Sequence, residues 1–180
     1  LIGGGMAATF LKAKSYEVGL SLIEPDRLDL AAKLMADTAK RGGRLLLPVD
    51  VVVADKVSAE AKTSTVSIDN ISPHLRIVDI GPRTIKKFGE ELQRCQTVFW
   101  NGPMGIYEIP RFAMGTQAMA ELLANLDATT VIGGGSTAEI VTRLGLASKM
   151  TFVSTGGGAS LRFLAGKVLP GVEALLNKSS

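Results

Sequence analysis

Cysteine is almost missing from this 180-residue sequence; Cys95 stands alone. One cysteine cannot close a disulfide within the chain, so burial and hydrogen bonds must hold the fold, and a reducing, cytoplasmic setting is expected. Histidine is as scarce, and His74 with Cys95 cannot make a zinc cluster. Aromatics are only 5% of the residues, and basic residues run no longer than pairs such as Lys40-Arg41 and Lys86-Lys87. A net charge of +3 without a basic stripe between aromatics argues against nucleic acid as a partner. The longest apolar stretch, residues 45–54, is interrupted by Pro48 and Asp50. It falls far short of the ~20 residues that cross a bilayer, and no signal-peptide pattern is visible, so no membrane association is expected.

What the chain has in quantity is Val, Ile, Leu, Ala and Gly, with 46% hydrophobic residues. That mix suits a buried parallel sheet under helices. Leu1-Ile2 reads as the tail of a strand, and the absence of an initiator Met suggests a piece of a larger protein. Helical periodicity covers Met6 to Lys14. A second helix opens at Pro25-Asp26, carries Leu28, Ala31, Leu34, Met35 and Thr38 on one face, and stops at Gly42-Gly43. Residues 44–54 read as a buried strand kinked at Pro48, and residues 59–74 as the least regular part. Strands at 77–80, 97–100, 129–132 and 150–154 alternate with helices from Pro82, over 112–126, 137–144 and 159–165, and from about Pro170. This alternation predicts βαβ units, hence an α/β fold with a doubly wound parallel sheet flanked by helices, without an internal linker.

Three places repeat one plan, an apolar run, three glycines and a helix start: LIGGGM, VIGGGST and VSTGGGAS. In a parallel sheet such loops share the carboxyl edge, where ligands bind. Glycine lets bare N–H groups approach a ligand, and the helix start adds its positive end, which together make an anion site. The plainer reading is tight packing between strand and helix. Two of the loops also fit a dinucleotide fingerprint, Gly3-Gly5-Ala8 and Gly133-Gly135-Ala138, with Glu24 as the acid about twenty residues after the first. A dinucleotide-dependent oxidoreductase domain is therefore one alternative. A catalytically silent nucleotide-binding module is another. Walker A and protein-kinase patterns are absent from the sequence.

The string VFWNGPMGIYE (98–108), with LLLPVDVVVAD (45–55), DIGP (79–82) and STGGGAS (154–160), closely resembles the nucleotide-binding half of phosphoglycerate kinases. The resemblance covers nearly the whole chain and is weakest over residues 60–77. It implies a single nucleotide-binding domain over residues 1–180, truncated at its N-terminus, with the N-terminal substrate domain of the parent enzyme absent. The activity implied is that of a phosphotransferase with a carboxyl acceptor. It exchanges a phosphoryl group between 1,3-bisphosphoglycerate and ADP, giving 3-phosphoglycerate and ATP in glycolysis. This chain would supply the half that binds Mg-ADP or Mg-ATP, and alone it should be inactive. In the intact enzyme the N-terminal domain of the same chain would be its partner.

Residue by residue, the resemblance sets the adenine against Gly3 and Gly4 with Leu22, Val78 and Ile106 as apolar walls. It brings Asn101 and Pro103 toward the phosphates and gives Glu108 the ribose hydroxyls. Gly134, Gly135, Ser136 and Thr137 would hold the phosphates and metal, while Gly156, Gly157 and Gly158 would face the transferring phosphoryl group. Phosphoryl transfer asks mainly for positioning and charge stabilisation, which agrees with the lack of a candidate nucleophile or base. Three departures from the family pattern stand out. Ser136 occupies the position where an Asp usually binds Mg²⁺, Arg162 replaces a common acid, and NISPHLRI (70–77) lacks the usual aromatic and glycine. Ser136 is expected at the helix N-cap, where Ser and Asp are both favoured.

Overall fold

A computed structural model describes residues 1–176. The chain divides into two compact units, one made of residues 1–94 and 103–122, the other of residues 95–102 and those from 123 on.

The first unit contains α1 (Gly4–Ala13), α2 (Leu28–Lys40), β1 (Asp50–Ala54), β2 (Thr63–Ser67), β3 (Arg76–Ile80) and α3 (Pro82–Leu92). Its sheet is antiparallel, in the order β2-β1-β3. The central strand reads DVVVA because both of its faces are covered. Val51 and Val53 pack with Ile71, Val66 and Ile77, whereas Ala54 and Val52 pack with Val78, Phe112 and Ile106. Alternate side chains of a strand point to opposite faces, so two buried faces make an unbroken apolar run.

The sequence motifs LPVD and DIGPRT meet in this unit. Asp50, 2% exposed, caps α3 from the neighbouring strand. Its carboxylate accepts from the backbone N–H of Arg83 at 3.0 Å and of Thr84 at 2.7 Å. Thr84 Oγ1 in turn accepts from the N–H groups of Val49 and Asp50. The helix start thus finds acceptors for orphan donors that its own first turn cannot satisfy.

The second unit contains β4 (Thr97–Asn101), β5 (Thr129–Gly133), α5 (Gly135–Arg143), β6 (Phe152–Ser154), α6 (Gly157–Leu164) and α7 (Pro170–Leu176). The 11-residue helix α4 (Met114–Ala124) runs from the first unit into it. The sheet here is parallel, in the order β4-β5-β6, with α5 joining β5 to β6. This is the expected α/β arrangement of a parallel sheet flanked by helices. Val98, Trp100, Ile132, Ile140 and Val141 are buried. Thr130 and Thr151 lock the entry to β5 and β6 through reciprocal bonds, each backbone N–H donating to the other's hydroxyl at 3.0 and 3.1 Å.

Local readings differ from the structure in four places. Leu1-Ile2 is not a strand, although Ile2 N–H donates to the Leu46 carbonyl at 2.9 Å. The strand expected over 44–54 begins only at Asp50; the Val49 N–H before it goes to Thr84 Oγ1 and not to a ladder. The polar stretch 59–74 contains strand β2, a polar edge whose alternation carries little apolar signal. The apolar face of α2 buries only Ala31 and leaves Leu34 44% exposed.

Candidate nucleotide-binding site

In the first unit a cavity of about 190 Å³ opens beside α1 and β3. Gly4 and Gly5 bring the start of α1 to its rim, and Leu22, Val78 and Ile106 contribute apolar wall. Val78 is buried at 2% exposure, whereas Leu22 is 91% exposed and forms an open lip. Gly4 has φ +60°, and a Cβ there would lie 2.4 Å from the Pro103 carbonyl oxygen, so only glycine fits. The Gly4 N–H donates to the Met104 carbonyl, and the Ile106 N–H to the Val78 carbonyl at 2.9 Å. These bonds fasten Met104, Gly105 and Ile106 along the cavity.

Gly3 does not line the cavity; the Met104 sulfur fills the space where its Cβ would stand. Glu108 sits in an exposed turn and lies outside the cavity lining.

Two polar residues of the lining were not singled out by sequence reasoning. Asp79, inside DIGP, accepts from Ile80 N–H at 2.8 Å and from Gly115 N–H at 2.7 Å. Burial pushes its carboxyl up from 3.8 to about 6, and these two bonds oppose the rise. Arg76, within the NISPHLRI stretch, has a buried Nε without a hydrogen-bond partner.

In the second unit the loops after the three parallel strands converge at the carboxyl edge of the sheet. Gly134 has φ +95°, and Asn101 Oδ1 occupies the space a Cβ there would need, at 2.5 Å. A Cβ on Gly157 would lie 2.7 Å from Gly134 Cα and 3.2 Å from Asn101 Oδ1. Asn101, Gly134 and Gly157 are therefore brought together. Gly134 N–H donates to the Ser154 carbonyl at 3.0 Å, and Gly102 N–H to Thr137 Oγ1 at 2.8 Å. Gly135 and Gly158, by contrast, face open space. Both plain packing and ligand access are thus present, on different glycines of the same loops.

Helices α5 and α6 start at Gly135 and Gly157, so their first N–H groups lie beside this edge. A helix start leaves such donors without intrahelical acceptors and carries partial positive charge. The N-cap of α5 is Gly134, not Ser136 as expected. Ser136 is the second helical residue and exposed; the glycine turn already provides the cap geometry, which moves the helix start two residues earlier.

Magnesium fits this edge poorly as a protein-held ion. The loop residues Asn101, Ser136 and Thr137 offer neutral oxygens, and no group of three His, Cys, Asp or Glu could hold a metal among the described residues. A hard divalent cation favours carboxylates. No helix among the described residues is long and apolar enough to cross a membrane.

Residues 1–167 match the family described as phosphoglycerate kinase. The chain is 56% identical to phosphoglycerate kinase of Pelotomaculum thermopropionicum over 178 residues, and 52% to that of Sulfurimonas denitrificans, covering 99% of this chain and 45% of each relative. Among solved structures, phosphoglycerate kinase from Coxiella burnetii superposes with a TM-score of 0.91 at 42% identity, over 96% of this chain and 45% of that one. The enzyme from Pyrococcus horikoshii superposes at 0.82 with 29% identity. The chain thus spans less than half the length of the relatives it matches, and it belongs to the phosphoglycerate kinase family.

Proposed function

We propose that this chain is the nucleotide-binding half of a phosphoglycerate kinase, and that the acyl-phosphate half lies in another part of the parent enzyme. Family membership removes the ground for the oxidoreductase alternative. The observation that carries the reading is the convergence of the loops after β4, β5 and β6, where Asn101, Gly134 and Gly157 close up while Gly135 and Gly158 stay open. Helix starts and open glycines suit the phosphates of a nucleotide. The small apolar cavity of the first unit suits a purine, which asks for flat contact and few polar groups.

In this reading Gly135, Ser136 and Thr137 receive phosphate oxygens on backbone N–H groups, and Gly134, whose N–H is held by the Ser154 carbonyl, shapes the loop that presents them. Gly156, Gly157 and Gly158 offer a second helix start to the phosphoryl group in transfer, with no side-chain chemistry required. Asn101 and Pro103 shape the approach to the phosphates, and Glu108 accepts from the ribose hydroxyls. Magnesium enters with the phosphates and not on a carboxylate of these loops. The partner substrates, 3-phosphoglycerate and 1,3-bisphosphoglycerate, belong to the N-terminal domain of the intact enzyme.

Calorimetric titration with ADP and with NAD tests the reading, together with a coupled assay for ATP formation from 1,3-bisphosphoglycerate. Binding of ADP but not NAD, without turnover by the 180-residue chain, is expected. Binding of NAD in preference to ADP would overturn it, and turnover would overturn the division of labour. Activity of the full-length enzyme separates it from a silent binding module.

A further inference from the structure

Residues 104–106 form one wall of the cavity in the first unit, and they belong to no helix or strand. Their backbone N–H groups must therefore find partners outside a ladder. The Ile106 N–H goes to the Val78 carbonyl, and the Met104 carbonyl accepts from Gly4 N–H at 3.0 Å. The other two donors meet a side chain. Thr116, in the first turn of α4 and 1% exposed, accepts at Oγ1 from Met104 N–H at 2.9 Å and from Gly105 N–H at 3.3 Å. A hydroxyl oxygen has two lone pairs, enough for both. Gly105 permits the approach, since a Cβ there would collide with the Phe112 carbonyl oxygen and with Asp79 Oδ1. Asp79 in turn holds the start of α4 by accepting from Gly115 N–H at 2.7 Å.

Resting on the placement of a purine in this cavity, we propose that Thr116 is a positioning residue for the nucleotide base. It lies outside the cavity lining and acts through residues 104–106. The Gly105 N–H and the Met104 carbonyl belong to one peptide unit. The hydroxyl that takes the first therefore fixes the direction of the second, and the second holds Gly4 at the start of α1. Two sides of the cavity thus rest on one buried hydroxyl. Removing it while keeping the side-chain shape leaves two buried N–H groups unpaired, and the segment must shift to satisfy them. A flat base gains its contact energy only with walls at van der Waals spacing, about 3.5–4 Å, so a small shift costs affinity. The phosphate-binding loops belong to the second unit and are built from other residues, so their affinity should not follow.

Calorimetric titration with ADP and with pyrophosphate, in wild type, Thr116→Val and Thr116→Ser, tests this, with urea unfolding of each protein alongside. Thr116→Val keeps the shape and is expected to weaken ADP about tenfold while moving pyrophosphate by less than about twofold. Thr116→Ser restores the hydroxyl and should bind ADP within about threefold of wild type. A role confined to stability would lower the unfolding free energy of Thr116→Val and leave its ADP affinity unchanged. That result overturns the proposal, as does an equal loss for ADP and pyrophosphate, or a Thr116→Ser as weak for ADP as Thr116→Val. Coupling is reciprocal, so bound base should protect the Thr116 bonds in turn. Hydrogen exchange of the Met104 and Gly105 amides in wild type should slow about tenfold with saturating ADP and not with pyrophosphate. Unchanged exchange overturns the proposal even where Thr116→Val does not fold. Wild type that binds no ADP refutes the nucleotide site itself, and the proposal fails with it.

Discussion

Asp79 should make the stability of the chain fall as pH rises through the weakly acidic range. Its side chain is buried, 1% exposed, between β3 and the start of α4. Burial lifts its carboxyl from 3.8 to about 6, against the pull of the Gly115 and Ile80 N–H groups. A folded-state value above the unfolded one means that folding favours the protonated form. The stabilisation is fully present below pH 3.8 and is lost as pH rises through 6. The full rise corresponds to about 3 kcal/mol at 1.36 kcal/mol per pH unit. Between pH 4 and pH 7 about 2 kcal/mol of it should be lost. Urea unfolding of wild type and Asp79→Asn at half-unit pH steps isolates the group, because the other carboxylates are shared by both proteins. The wild-type advantage over the variant should shrink by about 2 kcal/mol from pH 4 to pH 7. A carbon-13 titration of the carboxyl should show its midpoint near 6. Parallel stability profiles, or a midpoint near 4, would refute the reasoning.

Asp50→Ala should destabilise the chain by about 3–5 kcal/mol in urea unfolding, since it strips α3 of its cap and leaves buried donors unpaired; a loss below about 1 kcal/mol would contradict this. Glu108→Gln should weaken ADP by about 1–2 kcal/mol in calorimetry and leave pyrophosphate unaffected; unchanged ADP affinity would remove Glu108 from the ribose. Ser136→Asp should leave the melting temperature within a few degrees, because the residue is exposed and an acid suits the first turn of α5. The same change should raise the gain in ADP affinity on adding Mg²⁺, and equal gains in both proteins would mean that other groups already complete the metal shell.

The parallel half of the fold was legible because each of its strands is an apolar run ending in glycine or a turn and followed by helical periodicity, as in TTVIGGGSTAEIV. The antiparallel sheet was not. TSTVS in β2 is polar on an exposed edge, and hydrogen-bond pairing with β1 decides it where periodicity does not. The LPVD motif was visible as a string, but its role as a cap on α3 depends on a contact across 33 residues that no local pattern carries. Gly3 shows the same limit. Sequence places it in a glycine loop, and only the Met104 sulfur beside it marks the position as packing. Ser136 was displaced from the cap because Gly134 can take φ +95°, an option a three-glycine run leaves open at several positions. Arg76 lies in the stretch NISPHLRI, which departs from the family pattern, but nothing in that local string marks its Nε as buried and unpartnered.

Where each part of a nucleotide binds decides whether this chain is a nucleotide-binding half. Amide resonances of the chain, followed in separate titrations with pyrophosphate, adenosine and ADP, resolve this. Pyrophosphate should shift Gly135, Ser136, Thr137 and Gly158, adenosine should shift Gly4, Gly5, Val78 and Ile106, and ADP should shift both sets. Pyrophosphate that leaves the loops after β5 and β6 unmoved, or ADP whose shifts miss both sets, would contradict a nucleotide-binding half built on these glycine loops.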